Sequence, residues 1–339
     1  MANASVGDAA AVMHLVDYTD AGAVKQVPTR NGFGEGLVEA GQRDANVIAI
    51  CADLSESTRM EAFKKAFPDR YVEIGVAEQM LVAMAAGLAA SGKVPFIASY
   101  AMFNPGRSWE QVRTTLALNE TNVKIAGAHA GVSVGPDGAT HQAIEDIAIM
   151  RVIPKMTVIV PCDSVQTKKA TLAVAARTGA TYLRFARAES AVITTADTPF
   201  EVGRAQTFRD GDDVAIVACG ILVYNALVAA DRLAREDGIE CRVVNNHTIK
   251  PMDEDAVVAA GESCGSVVTV EEHQVHGGMG SRVAEILAAN HPVPVEFIGV
   301  QDRFGQSGNP QDLVEEYGMG VSAICAAVKR VLVRKRARA

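Results

Sequence analysis

Short runs of β-branched and aliphatic residues alternate along the chain with longer alanine-rich stretches in which polar positions recur at helical spacing. The apolar runs 47–51, 94–98, 123–127, 157–160 and 181–185 predict strands, with helices expected from Glu78, Ser108, Gln142 and Ser164. Strands without polar alternation are buried on both faces, and their alternation with helices predicts βαβ units around a mainly parallel sheet. Between 189 and 213 the periodicity lapses into turn formers, Thr194-Thr195-Ala196-Asp197-Thr198-Pro199 and Asp210-Gly211-Asp212-Asp213, which predict an interdomain connection. Strand-like runs resume at 214–218, 241–245, 266–271 and 295–299, each followed by a helical pattern. The expected fold is therefore α/β with two doubly wound domains: a mobile tail over 1–24, a first domain over 25–190, and a separate, smaller domain over 200–339.

Composition agrees with two domains, since 339 residues suit two cores at roughly 100 to 200 residues each. A hydrophobic share of 49% excludes disorder, and the size excludes a small disulfide scaffold. The net charge is −8, although six of the last eleven residues are basic. Without those six, 26 basic residues face 40 acidic ones, which argues against nucleic acid as a partner. The basic end suits a helix C-terminus, where the macrodipole favours cations. Six scattered cysteines without Cys-x-x-Cys imply a reduced, cytoplasmic protein without a structural zinc site, each thiol serving as a small buried hydrophobe. The first residues lack the basic and apolar blocks of a signal peptide. The longest apolar run, 80–90, falls far short of the ~20 residues a bilayer requires, so no membrane association is expected.

Ligands of open parallel sheets bind beyond the carboxyl ends of the strands, and five segments in such places carry candidate chemistry. In Tyr71-Val72-Glu73-Ile74-Gly75-Val76-Ala77-Glu78-Gln79, Glu78 stands in the first turn of an apolar helix. An acid there is ordinary on macrodipole grounds; flanking by Ala77 and apolar residues would also desolvate the carboxyl, raise its pKa and suit it to proton transfer. Tyr100 and Phe103 follow a strand three residues apart, and serve either as a stacking platform for a planar ring or as core filling, which spacing alone favours.

The glycine-rich loop 127–142 brings backbone close to a ligand and carries His129, Asp137 and His141. Metal ligation fits poorly without His-x-x-x-His or Glu-x-x-His spacing, so these groups suit a hydroxylated ligand and no metal site is expected. Arg30 and Arg187 suit bidentate contact with phosphate, or equally a solvated surface pair. The segment Glu271-Glu272-His273-Gln274-Val275-His276-Gly277-Gly278-Met279-Gly280-Ser281 lacks dinucleotide spacing and reads as a tight turn onto a helix.

Taken in order, these segments resemble the C-terminal half of transketolase over about residues 27–333, most specifically in Ile74-Gly75-Val76-Ala77-Glu78-Gln79 and Gly135-Pro136-Asp137-Gly138-Ala139-Thr140-His141-Gln142. The resemblance implies a pyrimidine-binding domain followed by a transketolase C-terminal-like domain, and a thiamine diphosphate enzyme moving a two-carbon ketol unit between sugar phosphates. It assigns Glu78 to the cofactor's aminopyrimidine ring, with Phe103 and Tyr100 as an aromatic wall and Asp53 and Leu54 near the cofactor. Arg30, Ser57, His129 and Arg187 match phosphate or hydroxyl contacts, and Asp137 and His141 match contacts to the donor sugar. Glu78, His129 and His141 are the catalytic expectations.

The sequence contains no Gly-Asp-Gly, the motif through which this family holds the diphosphate and magnesium. The expected arrangement is the C-terminal subunit of a split transketolase, a homodimer within a heterotetramer, in which the diphosphate and Mg are held by a separate N-terminal transketolase subunit. The alternative enzymatic reading is the beta subunit of a 2-oxoacid dehydrogenase or a deoxyxylulose-phosphate synthase-like enzyme, which share the fold and the glutamate. A non-catalytic scaffold subunit is the reading from another class.

Overall fold

The apolar runs become two sheets in the computed structural model, which describes residues 13–20 and 22–337. The strands are β1 (Val47–Cys51), β2 (Tyr71–Glu73), β3 (Val94–Tyr100), β4 (Lys124–Ala128), β5 (Thr157–Ile159), β6 (Thr181–Arg184), β7 (Gln206–Arg209), β8 (Val214–Ala218), β9 (Cys241–Asn245), β10 (Thr248–Lys250), β11 (Val267–Gln274) and β12 (Val295–Val300). The first sheet runs β10-β5-β6-β4-β3-β1-β2 and the second β12-β11-β8-β9-β7. Every pairing is parallel except β10 on β5 and β7 on β9. Central strands such as β1, β4 and β8 are buried at every position, as helices on both faces require.

Strand order decides what meets at the carboxyl edge. Because β6, β4, β3 and β1 are neighbours, their carboxyl ends and the segments after them, carrying Arg187, His129, Tyr100 with Phe103, and Asp53, leave the sheet side by side. β2 then leads into the helix Glu78–Ala90 at the same edge.

Four expectations need correction. The stretch 189–213 holds β7, which pairs antiparallel with β9, so the connection is partly sheet. The second domain is not wholly separate: β10, from its half of the chain, forms the edge strand of the first sheet, and apolar packing continues from Ile125 and Val158 to Val217 and Val283. The helix expected from Gln142 begins at Asp146, because the Gln142 amide instead donates to the carbonyls of Val132, at 3.0 Å, and Gln306, at 2.9 Å. Residues 13–20, within the expected mobile tail, are tied down. The Val16 N–H donates to the Ile193 carbonyl at 3.0 Å, and the His14 carbonyl accepts from Thr195 and Thr198; residues 1–12 lie outside the described part.

One helix escaped the pattern. Thr29–Arg43 contains four glycines, which disfavour a helix by roughly 1 kcal/mol each relative to alanine. Packing requires two of them: a Cβ on Gly32 would run into the Ser164 carbonyl oxygen, and one on Gly36 would stand 2.8 Å from the Thr171 Cβ. The helix thus lies close against Ser164–Ala175 and presents Arg30 at its first turn.

The basic residues near the C-terminus end the helix Val321–Arg336, as the macrodipole favours. Arg330 and Arg334 pair with Glu296, Lys329 with Asp237, and the Lys335 ammonium donates to the carbonyls of Asp213 and Cys264. All six cysteines are buried and unbridged. Among the described residues no helix is long and apolar enough to cross a membrane.

Candidate functional site

Glu78 opens its helix and is only 5% exposed, despite carrying a carboxylate. It meets the Arg107 guanidinium, whose Nη1 donates to Oε1 at 3.0 Å and Oε2 at 3.2 Å. The desolvation expected from its apolar flanks is present, but the carboxyl is also ion-paired, at the edge of an open cavity. That cavity, about 670 Å³, is lined by Val76, Ala77, Gln79, Met80, Ala83 and Gln111 besides the pair. Arg107 stands four residues beyond Phe103, and that short spacing was its signal in the sequence.

An aromatic ladder leads inward from this pair. The Arg107 guanidinium lies 4.2 Å from the Phe103 ring centroid, Phe103 stacks on Tyr100 at 5.7 Å, and Tyr100 stacks on His129 at 4.0 Å. His141 presents an edge to Phe103 at 5.2 Å. Tyr100 and Phe103 are half-buried, and Tyr100 also packs against the apolar core of the first sheet, so the core filling that spacing favoured holds for it in part. The Thr140 hydroxyl lies 2.9 Å from His141 Nδ1, in hydrogen-bond contact.

His129 is 1% exposed and its Nδ1 is buried without a partner. Burial first, then the charges of Arg30, Arg187 and Arg59, lower its pKa to about 3. The ring is neutral at physiological pH, so it can donate or accept a hydrogen bond but does not bring a positive charge to an anion. Its expected phosphate contact is reduced to that neutral role.

The cations sit together in a cleft of about 410 Å³ lined by Arg30, Asn31, Arg59, Pro136, Arg187 and Glu189. Arg30 donates to the Ser57 carbonyl at 2.9 Å, which ties the segment carrying Ser57 to the first turn of the helix Thr29–Arg43. Arg187 pairs with Asp137 at 3.1 Å. Arg59 went unnoticed in the sequence, where a lone arginine after Ser57-Thr58 carries no signal.

Asp53 and Leu54 line neither cavity. The Asp53 N–H donates at 2.7 Å to Glu73 Oε1, which also accepts the Gly75 N–H, so Glu73 ties the segment after β1 to the turn that leads to Glu78. A larger cavity of about 840 Å³, against the helix Ser164–Ala175, contains none of the candidate residues.

Two glutamates of the 271–281 segment are fully buried, and burial raises the pKa of both. Glu271 accepts the N–H groups of Met279 at 2.6 Å and Gly280 at 2.8 Å, capping the next helix, which accounts for the tight turn read there. Glu272 accepts the Ser133 N–H at 2.6 Å and so anchors the glycine-rich loop from the other domain. Nothing in its local sequence pointed to that partner 139 residues away.

The transketolase pyrimidine-binding domain family matches residues 25–191, and the transketolase C-terminal domain family matches 203–324. A putative transketolase C-terminal section from Methanocaldococcus jannaschii is 42% identical, over 88% of this chain and 94% of its own length. The 6-deoxy-6-sulfo-D-fructose transketolase subunit SqwH of a Clostridium species is 40% identical, over 91% and 96%. An apulose-4-phosphate transketolase subunit of Phocaeicola vulgatus is 40% identical, over 89% and 97%. A solved structure described as a split gene transketolase, inactive beta4 tetramer, superposes with TM-score 0.84 at 42% identity, covering 92% of this chain and 100% of that one.

Proposed function

The chain belongs to the transketolase family, and from that premise we propose that it is the C-terminal subunit of a split, thiamine-diphosphate-dependent enzyme transferring a two-carbon ketol unit between sugar phosphates. The observation that carries the reading is Glu78: a nearly buried carboxylate at the edge of an otherwise mostly apolar cavity, with an aromatic wall beginning where Arg107 rests on Phe103.

These residues fit the pyrimidine end of the cofactor. Glu78 would hold a proton against the ring nitrogen, and Phe103 and Tyr100 would offer it an apolar face. When bound, thiamine diphosphate would supply the nucleophilic carbon and the electron sink that ketol transfer requires. Asp53 and Leu54 are kept near the cofactor on the resemblance alone, with the Asp53 N–H donating to the Glu73 carboxylate. The diphosphate and Mg fall to an N-terminal partner subunit, because the chain has no Gly-Asp-Gly. The names of the relatives support a split assembly, and the description of the solved relative as an inactive beta4 tetramer supports dependence on a second type of subunit, with self-association into a heterotetramer.

The arginine cleft takes the sugar's phosphate, through charge-assisted hydrogen bonds from Arg30 and Arg187. His129, neutral and packed on Tyr100, orients hydroxyls near the reacting carbons with His141 and Asp137. A cationic cleft beside two histidines favours a phosphorylated sugar over the pyruvate of a 2-oxoacid dehydrogenase. Six buried, unbridged thiols support a cytoplasmic setting.

The test is to combine the chain with its partner subunit, thiamine diphosphate and Mg, and to follow ketol transfer from a ketose phosphate. Transfer is expected only in the mixture and is lost in Glu78→Ala; a fully active Glu78→Ala would refute the assignment.

A further inference from the structure

We propose that Arg59 is a third arginine of the anion cleft and sets it for a phosphate dianion in preference to a sulfonate. The proposal rests on the sugar-phosphate reading of the site and names the anion more narrowly.

Arg59 lines the cleft with Arg30 and Arg187. Its Nε donates to Asn31 Oδ1 at 2.9 Å, which holds the guanidinium beside the helix turn that carries Arg30. The backbone is committed to this placement: Arg59 has φ +65, unusual for a residue with a side chain, and its N–H donates to the Glu56 carbonyl at 3.1 Å. Gly34 makes room, since a Cβ there would lie 2.7 Å from the Arg59 Cβ.

Charge in the cleft is unbalanced. Arg187 has Asp137, whereas among the described residues neither Arg30 nor Arg59 has an ion-pair partner. The Arg30 Nε is buried and unpaired. Burial, then the Arg59 and Arg187 charges, push the Arg30 pKa down, which places the guanidinium groups within electrostatic reach of each other. Glu189 lines the cleft and Glu56 lies beside Arg59, and neither is paired with these arginines. Two unpaired guanidinium groups match the two charges of a phosphate monoester. A sulfonate offers the same three oxygens with one charge, and would leave one arginine uncompensated.

The experiment is calorimetric titration of the full chain at pH 8 with inorganic phosphate and, separately, methanesulfonate. The unsubstituted protein should bind phosphate at least tenfold more tightly. Arg59→Met should weaken phosphate roughly tenfold, the loss of one charge-assisted contact, and change methanesulfonate much less. Arg30→Met should weaken both anions. If Arg59→Met fails to fold, Arg59→Gln, which keeps a donor to Asn31 without the charge, provides the same comparison. Unchanged phosphate affinity in the Arg59 variant alongside a weakened Arg30→Met overturns the proposal and leaves the sugar-phosphate reading standing. Unchanged affinity in both variants, or no phosphate binding by the unsubstituted protein, overturns both.

Discussion

Arg107 donates from a single nitrogen to both carboxylate oxygens of Glu78 while its guanidinium rests on the Phe103 ring. The acid is nearly buried and the arginine is 51% exposed, so the pair is neither a free surface bridge nor a fully desolvated one. Such geometry makes the two residues energetically dependent. Arg107→Met should lower stability by about 1–2 kcal/mol, because it strands a buried carboxylate. In a Glu78→Gln background the same change should cost less, a coupling of about 1 kcal/mol. Urea unfolding of the four proteins measures it, and strictly additive costs would mean the contact carries no energy.

Stability should fall in mild acid. The unfolded His129 ring titrates near 6.5, whereas in the fold burial and the neighbouring arginines hold it to about 3. Between those values the unfolded chain binds a proton that the folded chain refuses. The stabilisation is therefore full above about pH 6.5 and is lost as pH falls toward about 3, at up to roughly 1.4 kcal/mol per pH unit. His247, lowered to about 3 by burial, acts in the same direction. Unfolding free energies at pH 7, 6 and 5 should decline more steeply for the unsubstituted protein than for His129→Gln; parallel slopes would contradict the assignment.

Gly131→Ala should damage the loop and not merely the fold. Gly131 has φ +87, and an added Cβ would strike the Glu272 carboxyl that holds the Ser133 N–H. A cost of about 2–4 kcal/mol is expected from the backbone strain and the collision together. Calorimetric unfolding checks it, and Glu272→Ala should recover part of the steric share when combined with it.

Truncation after Val333 removes Arg334 and Lys335, and with them the contacts to Glu296 and to the carbonyls of Asp213 and Cys264. The expected loss is about 1–2 kcal/mol, or a few degrees in Tm. Gel-shift assays on DNA should be the same with and without the tail. Salt-sensitive binding that disappears on truncation would show that these cations serve a partner and not the helix end.

The fully buried strands were legible because β1 and β8 are apolar at every position, a signal that survives ignorance of their neighbours. The helix Thr29–Arg43 was not, because its glycines obey the approach of Ser164–Ala175 and not local propensity. β7 and β10 are short and join strands reached only after long excursions of chain, so no window of sequence contains the reason they form. Arg30, His129 and Arg187 could each be named in the sequence, but their shared neighbourhood depends on β4 and β6 lying side by side and on the helix that carries Arg30.

The sequence alone determined the family and the α/β architecture, since these follow from periodicity and from motifs contiguous in the chain. The tertiary structure decided the electrostatics: Glu78 is paired with Arg107, His129 is neutral, and Arg59 lines the same cleft as Arg30 and Arg187. The physical reason is that charge interactions act through space over a few ångströms, and strand order, not chain order, sets which charges stand that close.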